Sequence, residues 1–179
     1  MTSDTSHNSS GQPLSHSEHE KRLLERDAAR LFMRRYEQET GQPMRHIWHN
    51  EPAKPDISCY FEDHQLDLEI AHLYATAEEA RHIRAPDRTD RLWFYLAELA
   101  IIDDPCEQLK MALLTLLNKK AEKHYDSDRV WLVIRNASVL WNRAQILRIQ
   151  QAFDKQNHPF EQIWIIPDFD GEEPLIRVA

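Results

Sequence analysis

Apolar and polar residues alternate between positions 56 and 72, and this alternation predicts two β-strands. The apolar positions, found at every second residue, are Ile57, Cys59, Phe61, Leu66, Leu68 and Ile70. The polar residues 62–64 between the two runs predict a turn, so that the strands pair as an antiparallel hairpin. If the hairpin closes about Asp63 and His64, Ser58 lies opposite Glu69, and the apolar side chains of both strands share one face of the sheet.

The rest of the chain is expected to form alternating helices and strands. A broad apolar stripe predicts a helix over about residues 18–39, ended by Gly41. Two uninterrupted apolar runs, at 130–134 and 163–166, predict strands that are buried on both faces. The other predicted elements are a strand at 46–49, a short helix within 75–91, a long helix from 105 to 125, a helix at 138–155 and an edge strand at 175–178. The order α-β-β-β-α-β-α-β predicts an α/β fold with a mixed sheet.

The chain has 179 residues, enough for one domain with a sizeable core, which we place at residues 18–179. Residues 1–17 are polar and rich in Ser, Thr, Asn and His, which predicts a disordered tail. Cys59 and Cys106 are far apart in the sequence and are expected to be unpaired thiols. No stretch approaches the roughly 20 apolar residues of a membrane span, and the first residues contain no apolar signal segment. We therefore expect a cytoplasmic protein.

The net charge of −8 limits the partners that the chain can bind. It argues against a protein that coats nucleic acid or an anionic membrane surface, but it leaves room for a local basic groove. The candidate phosphate contacts of such a groove are Arg84, Arg88, Lys119 and Lys123. The alternative is that these side chains form an ordinary solvated face, partly balanced by neighbouring acids.

The acidic residues of the hairpin fall on the face opposite the apolar one. Asp56, Asp67 and Glu69 share this face, and in the predicted register Asp56 and Glu69 are diagonal neighbours at roughly 7–8 Å. Carboxylates at this separation can bind one hard divalent cation, Mg²⁺ or Mn²⁺, through their oxygen atoms. The alternative is that these acids merely line a wet face of the sheet. His72 points to the other face and is interpreted as structural.

The same residues carry a resemblance to a known family. Pro55-Asp56, followed across the hairpin by Glu69-Ile70-Ala71, resembles the motif of the PD-(D/E)xK nuclease-like superfamily, and the resemblance covers about residues 20–170. Further similarities to uncharacterised bacterial members are Glu25 in the first helix, the approach Asn50-Glu51-Pro52 and the run from Lys120 to Tyr125. The resemblance implies a three-layer α/β/α, restriction-endonuclease-like core. It also implies divalent-metal-dependent hydrolysis of DNA or RNA.

The resemblance also implies a role for each matching residue. Asp56 and Glu69 would be the metal-binding carboxylates, and the backbone carbonyl of Ile70 would be a further ligand. Glu25 would bind the metal through water; the alternative is that it is solvated at the edge of the helix. The metal would polarise the scissile phosphate and lower the pKa of an attacking water.

The chain departs from the family at Ala71, where the family has a lysine that stabilises charge on the phosphate. Lys120 is the candidate replacement, because it continues the inward stripe of the long helix. That stripe consists of Leu113, Leu116, Leu117, Lys120, Ala121 and His124. The alternative is that Lys120 extends past the core to water. Two functions therefore stay open: a divalent-metal nuclease, and a catalytically inactive nuclease-fold protein that acts as a binding or regulatory module.

Overall fold

The computed structural model describes residues 15–50, 54–84, 104–153 and 157–179. The helices are α1 (His16–Thr40), α2 (Ala77–Arg84), α3 (Pro105–Ala121) and α4 (Arg143–Ile149), with a 3₁₀ turn at Gln150–Ala152 after α4. The strands are β1 (Met44–His49), β2 (Ile57–Phe61), β3 (His64–Leu73), β4 (Val130–Asn136), β5 (Gln162–Ile166) and β6 (Ile176–Arg177). They form one six-stranded sheet in the order β1-β2-β3-β4-β5-β6.

The sheet is mixed, as the order of elements predicts. Strand β2 pairs antiparallel with both β1 and β3, whereas β3, β4 and β5 run parallel to one another. Strand β6 returns antiparallel to β5 at the edge of the sheet. Helix α1 packs on one face of the sheet, and α3 and α4 pack on the other. The predicted α/β class with a mixed sheet is therefore confirmed.

Apolar side chains cover both faces of the central strands. On the α1 face, Phe32 and Tyr36 pack against Trp131, with ring centroids 6.3 and 5.5 Å apart. On the other face, Leu109 and Leu113 of α3 belong to the core that covers β4 and β5. Every residue of β4 is buried, as predicted for a strand covered on both sides.

The hairpin of β2 and β3 has the predicted faces but a different register. Its turn consists of Glu62 and Asp63, whose φ values of 52° and 61° give the left-handed pair that a two-residue hairpin turn requires. Ser58 therefore pairs with Asp67 and not with Glu69. The shift is two residues, which preserves the faces, so the apolar side chains of both strands do share one core. If this register is extended by one residue beyond the pair Ile57 and Leu68, Asp56 lies opposite Glu69 and not diagonal to it.

Helix α1 begins earlier than predicted, inside the segment assigned to a disordered tail. Ser15 is its N-cap: the hydroxyl accepts a hydrogen bond from the Glu18 N–H at 3.3 Å. In return, Glu18 Oε2 accepts a hydrogen bond from the Ser15 N–H at 3.1 Å. The helix therefore starts at His16, two residues before the predicted start. Residues 1–14 lie outside the described ranges.

Helix α4 begins at Arg143, well after the predicted start at Ser138. The side chain of Asn136 accepts a hydrogen bond from the Ser138 N–H at 3.1 Å and donates one to the Trp141 carbonyl at 2.8 Å. These bonds hold the intervening chain in a turn. Asn142 then caps the helix by accepting a hydrogen bond from the Gln145 N–H.

Helix α3 ends at Ala121, short of the predicted end at Tyr125. The Tyr125 hydroxyl donates a hydrogen bond to the Lys120 carbonyl at 2.9 Å, so the chain folds back over the last turn of the helix. Residues after 121 therefore approach the sheet from a loop. Each described helix is too short or too polar to cross a membrane.

Strand β3 extends further than the strand beside it. Strand β2 pairs only with residues His64 to Leu68 of β3. On that side of β3, the described chain has no strand paired with residues 69–73. Helices α1 and α3 flank this open stretch from the two faces of the sheet, and polar groups of both can reach its backbone.

Candidate active site

Asp56 lies at the open edge of β3, just before β2 begins. Its Oδ2 atom accepts a hydrogen bond from the Ile70 N–H at 2.9 Å. Asn50 fixes the chain around it, because its side chain donates to the Pro55 carbonyl at 2.9 Å and to Ser58 Oγ at 2.6 Å. The carboxylate is thus held against the unpaired edge of the strand that carries Glu69.

Lys120 reaches the same edge from the last turn of α3. Its Nζ atom donates to Glu69 Oε1 at 2.5 Å and to the Ile70 carbonyl at 2.9 Å. The Glu69 side chain is 2% exposed and that of Lys120 is 16% exposed, so this ion pair is largely shielded from water. Lys123, in the loop after α3, also contacts Glu69 Oε1, at 3.1 Å. Lys120 therefore points toward the acidic residues of the sheet and not away from the protein.

Glu25 supplies a third carboxylate from α1. It is buried, and its nearest cation is Lys21, one helical turn earlier, at 3.3 Å. Burial, together with the charge of Asp56, raises the pKa of Glu25 to about 7. Burial and the charge of Glu69 likewise raise the pKa of Asp56 above its usual value. The three acids thus act on one another electrostatically, as a single cluster.

A cavity of about 320 Å³ opens over this cluster, lined by all three carboxylates. Its lining also includes Lys21, Arg22, Lys54, His49, Asn50 and Tyr125. Burial and the charge of Arg22 lower the pKa of His49 below its usual value, which favours the neutral imidazole. The sequence analysis did not identify Lys21, Arg22 and Lys54 as residues of the site. Lys21 could have been predicted, because it precedes Glu25 by one helical turn and so lies on the same helix face.

The donor atoms at this edge suit a hard divalent cation. Asp56, Glu69 and the Ile70 carbonyl offer oxygen atoms, which Mg²⁺ and Mn²⁺ prefer. The raised pKa values of Asp56 and Glu25 indicate that nearby positive charge only partly offsets burial and mutual repulsion. Within the described residues, however, no group of three His, Cys, Asp or Glu side chains has the geometry of a metal centre. A cation bound here would have to share Glu69 and the Ile70 carbonyl with the Lys120 ammonium, so the described residues do not form a preformed metal cage.

Other predicted residues lie elsewhere. Asp67 is buried away from the cavity, where it accepts hydrogen bonds from Ser58 Oγ at 2.5 Å and from Gln65 Nε2 at 2.8 Å. The alternative of a wet acidic face therefore does not hold at Asp67, which is buried. His72 packs beside Tyr74 and does not line the carboxylate cavity.

Of the four residues predicted to form a basic groove, the structure describes the side chains of two. Lys123 lines the carboxylate cavity, and Lys119 is exposed on α3 beside a neighbouring cavity. Arg88 and the side chain of Arg84 lie outside what the structure describes.

The site brings two carboxylates, a lysine and a strand carbonyl together at one open strand edge. Such an arrangement can hold a cation, stabilise an anion, or do both in turn. The geometry comes from Asp56, Glu69, Ile70 and Lys120, with Glu25 facing them from α1. A comparison of the chain with protein-family models, with curated proteins and with solved structures finds no match in any of the three.

Proposed function

We propose that this chain is a divalent-metal-dependent phosphodiesterase that cleaves nucleic acid, with a fold of the PD-(D/E)xK nuclease type. The observation that carries the proposal is the position of Lys120, whose ammonium contacts both Glu69 and the Ile70 carbonyl. Lys120 of α3 thereby places an ammonium group at the strand edge where the family has its motif lysine. In this proposal, Lys120 replaces the lysine that is absent at Ala71.

Each residue of the cluster has a distinct task in this proposal. Asp56, Glu69 and the Ile70 carbonyl would hold the cation, with Glu25 reaching it through water. The bound cation supplies polarisation of the phosphate and a more acidic water. Lys120 presents a shielded positive charge at the same edge, where it stabilises negative charge that develops on the phosphate oxygens. Lys123 is half exposed and therefore available to contact a substrate phosphate.

A catalytically inactive binding module is the second candidate, and one observation favours it. Glu69 already has two ammonium partners, Lys120 and Lys123, so its charge is compensated without a metal. A site stabilised in this way could persist in a protein that no longer binds a cation. Such a protein would bind nucleic acid through the same lysines and release it intact.

Cleavage assays separate the two candidates. We expect the protein to cleave labelled single-stranded or double-stranded DNA or RNA when Mg²⁺ or Mn²⁺ is present, and not when EDTA replaces the metal. Glu69→Gln should abolish cleavage, because it removes an anionic ligand at nearly constant shape. Glu62→Gln is the matched control: Glu62 is an exposed acid in the hairpin turn, outside the cluster. Absence of cleavage with every substrate and metal would favour the binding module.

A further inference from the structure

A second cavity, of about 330 Å³, continues from the first along the open edge of β3. Ile70, Ala71 and His72 form part of its lining, with Leu24 on the α1 side and Leu116 on the α3 side. Lys21, Glu25 and Lys123 line both cavities. The two cavities are therefore neighbouring parts of one groove, which passes the carboxylate cluster.

The second cavity is basic although the whole chain is acidic. Its described lining includes the four lysines Lys21, Lys119, Lys120 and Lys123, against the carboxylate of Glu25 in the lining and that of Glu69 behind it, which Lys120 and Lys123 contact. The side chains of Lys21 and Lys123 are 70% and 50% exposed, and Lys119 is exposed as well. Their ammonium groups can therefore be reached by a ligand from solvent. In a chain of net charge −8, such a local concentration of lysines points to an anionic ligand.

Aromatic rings lie in the same cavity as these lysines. His72 and Tyr74 both belong to its lining, and their rings stack with centroids 6.2 Å apart and planes inclined by 20°. Both side chains are half-buried, so the pair is anchored but still reaches the cavity. Flat aromatic faces beside lysines match the two parts of a nucleotide, its base and its phosphate.

We propose that this second cavity binds an unpaired nucleotide of single-stranded nucleic acid, next to the phosphate that would be hydrolysed at the neighbouring cluster. The base stacks on the aromatic pair of His72 and Tyr74, and its phosphate contacts Lys119 and Lys123. An unpaired base is required, because a base inside a duplex already has both faces covered by its neighbours. The position next to a scissile phosphate rests on the proposed function, whereas the binding itself does not.

Fluorescence anisotropy with EDTA present tests the binding without any cleavage. The probes are a short labelled oligothymidylate, the matching oligouridylate and a blunt DNA duplex of the same length. We expect at least one single strand to bind more tightly than the duplex. Tyr74→Ala should weaken that binding by at least about fivefold, the scale of one lost base–aromatic stack, and Tyr74→Phe should retain it. Tyr60→Ala is the matched control, because Tyr60 is an exposed aromatic on β2, outside both cavities.

The salt dependence of binding tests the lysines separately. Lys119→Gln should lower the slope of log affinity against log salt by about one, the value for one lost phosphate contact. Lys110→Gln, on the same helix but outside the groove, should leave the slope unchanged.

Three results would overturn the proposed nucleotide site: equal or tighter binding of the duplex, undiminished binding by Tyr74→Ala, or no binding of any probe. Binding that depends on Tyr74, without cleavage in Mg²⁺, would leave this site standing and remove the proposed hydrolysis. Metal-dependent cleavage together with full affinity in Tyr74→Ala would support the proposed hydrolysis and remove the nucleotide site.

Discussion

At the scale of single residues, Glu25 shows that burial and repulsion between carboxylates destabilise the charged form of the cluster. It is buried, faces Asp56, and has an exposed lysine as its nearest cation. Because burial is the largest contribution to its raised pKa, the charged form is the one that costs stability. A bound cation would offset this cost, and so would the removal of the charge by mutation.

Glu25→Gln should therefore stabilise the metal-free protein in a pH-dependent way. The pKa of Glu25 is about 7 in the folded chain against 4.5 for the ordinary group, so between these values the folded state binds more protons than the unfolded one. The stability that protonated Glu25 contributes is fully present below pH 4.5 and is lost as the pH rises through about 7. Urea unfolding in EDTA should show a larger gain for Glu25→Gln at about pH 8 than at about pH 5. An equal gain at both values would mean that Glu25 is not the group that titrates.

Part of the site could be predicted at this scale and part could not. The alternation along β2 and β3 correctly placed their apolar side chains on one face, because the faces follow from a period of two. The hairpin register was missed, since Glu62 and Asp63 adopt positive φ values without the Gly or Asn that usually marks such a turn. Burial of Asp67 was also missed, because its partners Ser58 and Gln65 are set by that register.

At the scale of elements, the site depends on the different lengths of β2 and β3 and on the end of α3. Strand β2 stops pairing at Leu68, which leaves the next part of β3 open to the helices. The last turn of α3 then brings Lys120 to that edge, where the Tyr125 hydroxyl binds its carbonyl. The helical stripe predicted the direction of Lys120. No local pattern predicted how far β2 would run along β3, so the second cavity was not foreseen.

Lys120→Met tests whether α3 supplies the missing cation of the motif. In an active enzyme, we expect the cleavage rate to fall by roughly 10²–10³-fold, the scale for the loss of one preorganised charge. The fold should remain, since methionine retains much of the apolar stem that packs near the sheet. Single-turnover cleavage in Mg²⁺ measures the effect, with Lys110→Met on the same helix as the control. A rate within a few-fold of the unmodified protein would exclude Lys120 from the chemistry.

At the scale of the whole molecule, the described structure leaves one stretch of strand edge where acids, lysines and backbone meet. Packing closes both faces of the sheet, and the groove between α1 and α3 follows the stretch of β3 that lies beyond β2. The whole chain has a net charge of −8, so the lysines of this groove form a local positive region on an acidic protein. This charge distribution supports the proposal that a polyanion binds in the groove and not across the general surface.

A calorimetric titration with Mn²⁺ tests most directly whether this edge is a metal site. We predict that the unmodified protein binds the cation and that Glu69→Gln and Asp56→Asn each weaken the binding, whereas Glu62→Gln does not. Circular dichroism should show that all three variants remain folded. An unmodified protein that binds no Mn²⁺, or a Glu69→Gln variant with unchanged affinity, would contradict the account.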